Sequence, residues 1–244
     1  MRSPVSRATA ATILVLAVVG VALWFHGGGT APAFADFLQP ILEARTLKYK
    51  STAQWTSLSA EMKLLPAEMQ ARMLKGSTDE VMMLGADRIR TESANLGTSR
   101  MVHIWDGRVR KSLSLLPDEK RATISDESDP SKPKTAKPTH TDAAAIFRAM
   151  LLDARDKPGV EREPLGEREM DGRRVIGFRI TLPTAVMSVW GDPKTGLPAR
   201  IESNSRMMPN IRLIMTDFEF NVELDESLFS TEPPAGYEVG SFFI

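Results

Sequence analysis

The chain has 244 residues, enough for one large domain or two small ones, and an apolar share typical of globular proteins. Its 31 basic and 31 acidic side chains cancel, so it carries neither the basic face of a nucleic-acid binder nor the polybasic cluster of a lipid-surface binder. It has no cysteine, which excludes disulfides, thiolate metal sites, iron–sulfur clusters and a cysteine-linked lipid.

Residues 1–7 read as a short cytoplasmic tail containing Arg2 and Arg7. Residues 8–25 (ATAATILVLAVVGVALWF) are free of charge and are expected to form a transmembrane helix of about 27 Å, close to the thickness of a hydrocarbon core. The arginines keep the N-terminus inside, so the bulk of the chain is expected outside. Two readings follow. In one, the segment is a permanent signal anchor in the inner membrane, residues 26–33 are a flexible stalk, and the remainder is a periplasmic domain. In the other, it is a signal peptide cleaved after Ala35, at the small-x-small pattern Ala33-Phe34-Ala35, and the product is secreted to the periplasm.

From residue 34 the pattern is β-rich. Phe34, Phe37, Leu38, Ile41 and Leu42 share one helical face over residues 34–44, with Pro40 expected to bend or shorten the helix. Residues 47–57 alternate as a half-buried strand. Residues 60–75, rich in Met and Leu and broken by Pro66, read as a helical insertion. Short strands are expected at 81–84, 87–92, 101–105, 109–116 and 121–124, with a tight turn at Asp106-Gly107. Residues 125–141 are polar, hold three prolines and read as a surface loop. Asp142 caps a helix carrying Ile146, Phe147, Met150, Leu151 and Ala154 as its apolar stripe. Strands at 167–170, 174–182, 185–191, 197–203, 211–215 and 218–222 follow. The phase change between the last two places a β-bulge at Thr216-Asp217. Two amphipathic helices, many hairpins and no βαβ rhythm give an α+β class, with a strongly curved antiparallel sheet and the helices over one face.

The run Val189-Trp190-Gly191-Asp192-Pro193-Lys194-Thr195-Gly196-Leu197-Pro198-Ala199-Arg200-Ile201 resembles a hairpin of the bacterial lipoprotein-carrier superfamily that includes LolA, LolB and RseB. Asp217-Phe218-Glu219-Phe220-Asn221, Leu228-Phe229-Ser230 and Pro233-Pro234-Ala235-Gly236-Tyr237 are similar to the end of those proteins, and Asp87-Arg88-Ile89-Arg90 with Trp105-Asp106-Gly107 to their N-terminal half. Ala33-Phe34-Ala35-Asp36 resembles the sequence after the anchor of membrane-bound members. The resemblance covers residues 34–239 and leaves 240–244 as a tail. It implies a half-open β-barrel with a helical lid over an apolar cavity. The implied role is a binding module for a lipid, an acyl chain or a lipoprotein segment, or else a sensor acting through a membrane protein partner, as RseB acts on an anti-sigma factor.

Candidate cavity and lid residues are Trp55, Met82, Met101, Trp105, Phe147, Met150, Leu151, Phe178, Met187, Trp190 and Met215. Thirteen methionines suit either a core or an adaptable apolar pocket. His26, His103 and His140 have no metal-ligand spacing, and no nucleophile elbow or phosphate loop occurs, so neither an enzyme nor a cofactor is expected, and an enzyme acting on envelope lipid or glycan ranks last among the readings.

Overall fold

The computed structural model describes residues 34–95, 99–126, 143–206 and 209–240. The expected membrane segment 8–25, stalk 26–33, most of the polar loop and residues 241–244 lie outside them. Among the described residues no helix is long and apolar enough to cross a membrane.

Helix α1 (Phe34–Glu43) leads into β1 (Thr46–Trp55). A 3₁₀ turn at Met62–Leu64 and helix α2 (Ala67–Lys75) follow, then β2 (Ser77–Leu84), β3 (Arg88–Asn95), β4 (Ser99–Asp106), β5 (Lys111–Leu116) and β6 (Arg121–Asp126). Helix α3 (Ala143–Asp156) precedes β7 (Glu161–Met170), β8 (Arg173–Thr181), β9 (Ala185–Gly191), β10 (Pro198–Ser205) and β11 (Ile211–Phe220). A 3₁₀ turn at Glu226–Phe229 and the two-residue strand β12 (Glu238–Val239) end the described chain.

The twelve strands among the described residues form one sheet, in the order β12-β6-β5-β4-β3-β2-β1-β11-β10-β9-β8-β7, which does not close on itself. Two meanders, β1–β6 and β7–β11, are joined by the long β1–β11 ladder. Among the described residues only β12 runs parallel to its neighbour, β6. The expected α+β class and antiparallel sheet are therefore present. The expected bulge is also present: Lys50 pairs with Thr216 and Lys48 with Glu219, and Asp217 takes φ +56° in between.

Several boundaries differ from the sequence reading. α1 stops at Glu43, one residue short of the expected end, and holds Pro40 inside it; the ring replaces only one helical N–H, and the Pro40 carbonyl accepts from the Ala44 amide at 3.1 Å. The 60–75 insertion is two short pieces split at Pro66. β7 begins at Glu161 rather than Glu167, because a register shift at Pro164–Gly166 lets an edge strand carry a proline. β5 starts at Lys111, since Arg110 at φ +56° belongs to the turn. β6 continues through Ser125 and Asp126, the expected start of the polar loop.

Residues directly opposed across an antiparallel ladder lie on the same face. The inner face, beneath α1 and α3, carries the larger core: Leu47, Tyr49, Val81, Met83, Ile89, Ile180, Met187, Val189, Ile201 and Met215 meet Phe34, Phe37, Leu38, Ile41, Leu42, Leu151 and Ala154. A second core of Val102, Ile104, Leu113, Leu115 and Ala122 lies on the outer face of β4–β6, with Tyr237 packed against it. The chain after β11 lies over this side: Arg90, on the outer face of β3, donates to the Leu228 carbonyl at 3.0 Å, and Arg88 pairs with Glu226 at 3.0 Å. The sheet's buried side thus changes from inner to outer between β3 and β4.

Candidate functional site

The inner face under α1 is built by short-range pattern and long-range fit together. Spacing of three and four residues puts Phe34, Phe37, Leu38, Ile41 and Leu42 on one stripe of α1, and all five are buried. Phe37 settles against Gly191 at the end of β9. A Cβ built there would lie 1.9 Å from the Phe37 ring, so only glycine admits the helix at this depth. Phe178 packs against both Phe34 and Phe37, with ring centroids 5.9 and 5.8 Å away. Helix α3 is fixed at its C-terminus by Arg162 of β7, which donates to the carbonyls of Ala154 (2.8 and 3.0 Å) and Arg155 (3.0 Å). These carbonyls have no helical partner, and a cation there also opposes the helix dipole favourably. Arg155 joins the two helices by donating to Gln39 at 3.1 Å. Neither helix is tied to the sheet by a backbone ladder.

The candidate residues divide. Met150, Leu151, Phe178, Met187 and Met215 meet in the inner core. Trp55, Met101 and Trp105 are half-buried on the inner face but outside that cluster. Met82 and Trp190 belong to the outer face, one residue out of phase with Met83 and Val189. Trp190 lies flat over Gly177, with the Arg168 guanidinium 3.6 Å above its ring. The side chain of Phe147 lies outside the described residues. Sequence reasoning placed the α1 stripe correctly but did not mark it as part of the site. It also missed Tyr49, Phe218 and Phe220, which stack in sequence at 5.6 and 6.1 Å beside the bulge. The alternation of β1 and the bulge signal at Thr216-Asp217 were the clues to that stack.

Further along the inner face the chemistry changes. His103 Nδ1 is 3.0 Å from Ser114 Oγ. Asp79 accepts a hydrogen bond from Ser93, and burial nevertheless pushes its carboxyl above the usual range. On the outer face Glu92 is held by Arg100 and Arg90; burial alone would raise its pKa, but the two guanidinium groups bring it below the ordinary value. Among the described residues no group of three or more His, Asp or Glu is placed to hold a metal ion.

No family model matches the chain, and no curated protein matches it. Solved structures do. An uncharacterized conserved protein from Thermus thermophilus aligns at 11% identity and a TM-score of 0.46, over 84% of this chain and 97% of its own. MucB from Pseudomonas aeruginosa, solved with MucA, aligns at 13% and 0.38, over 81% of this chain and 59% of its own. A putative outer membrane lipoprotein-sorting protein domain from Vibrio parahaemolyticus aligns at 9% and 0.34, over 80% and 96%. This chain spans about three fifths of the MucB chain.

Proposed function

We propose that this protein is an envelope binding module that takes an acyl chain, free or on a lipidated segment, between its sheet and α1. The observation that supports this is the way the inner face is closed. A continuous apolar surface is covered by helices that hold it through side chains alone. α1 occupies the place an acyl chain would take, so binding is an exchange. Five buried α1 side chains at about 2 kcal/mol each are worth roughly 10 kcal/mol. A chain of a dozen methylenes at about 0.8 kcal/mol each is worth a similar amount. Two nearly equal terms allow a ligand to replace the helix without a catalytic residue or an external energy source.

In the same proposal, residues 8–25 tether the domain to the inner membrane and place it in the periplasm. A tethered module would hold or present its ligand at one membrane, whereas a chain cleaved after Ala35 could carry it between two. The first test is native mass spectrometry of the gently purified full chain, followed by titration with a fluorescent fatty acid. A co-purifying lipid mass, or saturable probe uptake, is expected. An empty protein that also rejects the probe would overturn acyl binding. The mature N-terminus, read from a membrane fraction, decides the tether: Met1 or Arg2 is expected, and Asp36 would overturn it.

A further inference from the structure

The insertion between β1 and β2 leaves three apolar side chains in water. Leu64 is 86% exposed, Met69 47% and Leu74 42%, and no residue of the 3₁₀ turn or of α2 is buried. Single exposed leucines are ordinary, but three so close in the chain make a patch. The segment is nevertheless firmly built. The Gln70 side chain donates to the carbonyls of Lys63 and Leu65 at 2.9 and 2.7 Å, which ties the turn to the helix. The Gln54 side chain donates to the Leu74 carbonyl at 3.1 Å. Gly76 takes φ +85° so close to β1 that a Cβ there would lie 2.5 Å from the Ala53 carbonyl oxygen. The cations of the segment fall beside its apolar tips. Lys63 precedes Leu64 and Lys75 follows Leu74. Among the described residues neither ammonium has an acidic partner, whereas Arg72 is paired with Glu68 at 2.8 Å.

We propose that this rim docks on a bilayer surface containing anionic phospholipid, with Leu64, Met69 and Leu74 entering the boundary between headgroups and acyl chains and Lys63 and Lys75 meeting lipid phosphates. The inference rests on the tether reading above and not on acyl binding. An apolar tip beside a lysine suits that boundary, because the leucine leaves water while the lysine stem lies along the apolar layer and its ammonium stays at the level of the phosphates. Two lysines are far short of a polybasic cluster. The rim therefore does not recruit the chain; it orients a domain that the anchor already holds at high local concentration. The tether has the reach for this. Residues 26–33 span at most about 27 Å when extended, so the anchor keeps Phe34 within that distance of the bilayer. Phe34 rests on Phe178, whose row runs through Val189, Ile201 and Met215 to Ser51 on β1, two residues before the rim's seat at Ala53. Four strand spacings put the two about 20 Å apart across the sheet. One membrane can thus hold the anchor and receive the rim.

The chain has no cysteine, so Leu64→Cys and Val109→Cys each create one site for an environment-sensitive fluorophore. Val109 is a matched control: it is apolar and 47% exposed, but it lies in the β4–β5 turn, at the opposite end of the strands. The labelled full chain would be reconstituted in phosphatidylcholine vesicles with or without phosphatidylglycerol, then quenched by nitroxide-bearing lipid or by iodide from the water. With phosphatidylglycerol present, lipid quenching is expected to be at least threefold stronger at position 64 than at 109. Lys63→Gln together with Lys75→Gln should bring that ratio towards one, with circular dichroism showing an unchanged fold. Equal quenching at the two positions, or a ratio indifferent to phosphatidylglycerol and to both lysines, would overturn the docking and leave the tether intact. A label at 64 shielded from iodide and lipid alike would also overturn it, since the patch would then be covered by protein, a second copy included. An alkaline carbonate wash tests the tether separately. If the wash strips the chain from the vesicles, the tether reading fails, and the quenching ratio before the wash still decides the docking.

Discussion

Asp79 shows how one side chain reports its place on the sheet. It faces inward beside Ser93, where burial disfavours the ionised carboxyl more than the serine hydrogen bond restores it. Its pKa is therefore higher in the folded chain than the value near 3.9 of an unfolded one. Below about pH 4 the group is protonated in both states and costs nothing. As the pH rises past that point the unfolded chain gains more from ionisation, and the fold loses stability. Asp79→Asn is expected to raise the melting temperature at pH 7 and to leave it unchanged near pH 3. Thermal melts at the two pH values check this, and an equal shift at both would show that the effect is steric. The sequence could not reveal this: Asp79 reads as an ordinary strand-end acid, and its environment comes from β3, a different strand.

At the scale of elements, α1 was the most legible part and its seat the least. Five apolar residues at helical spacing announce the helix. Nothing near Gly191 announces that a phenyl ring from more than 150 positions earlier must rest on it. The WGDPKTGLP run reads as hairpin chemistry, and the turn glycine, Gly196, does take φ +68°. Gly191 is there for a different reason, namely close approach. Gly191→Ala is expected to cost about 1–3 kcal/mol, as overpacking in a core does. Urea unfolding measures the loss. If α1 is the element displaced, the variant should also take up the fluorescent fatty acid more readily than the parent protein. Weaker uptake would mean that the strain is absorbed by the sheet. The candidate residues sort by the same logic. Met215 and Met187 follow the alternation of strands read in the right phase. Met82 and Trp190 stand out by residue type alone, and the pleat turns both outward.

For the molecule as a whole, the sequence conveyed the class, the hairpin series and the bulge, because these rest on local period and turn chemistry. It concealed the reversal of the buried side. In Met101-Val102-His103-Ile104-Trp105 both alternating sets are apolar enough to be core, and tertiary context chooses Val102 and Ile104. That context is the chain after Val222, whose parallel strand β12 has too few residues to leave a periodic signal. Ending the chain after Val222 should uncover Val102, Ile104, Leu113 and Leu115, at roughly 2 kcal/mol for each side chain. Hydrogen exchange is expected to show amides of β4–β6 losing protection well before those of β8–β10. Uniform loss across the sheet would mean that the two cores are one cooperative unit.

The β1–β11 ladder has a consequence for how the chain reaches this state. It pairs Leu47 with Phe220, so the two meanders can be zipped together only when nearly the whole domain has been made. Closure over that distance carries a large entropic cost and slows folding. Until β11 arrives, β1 offers an open strand edge while α1 lacks much of the surface it covers. The interval before that last pairing is when the emerging chain is most exposed to aggregation, and when a chaperone that shields strand edges would matter most.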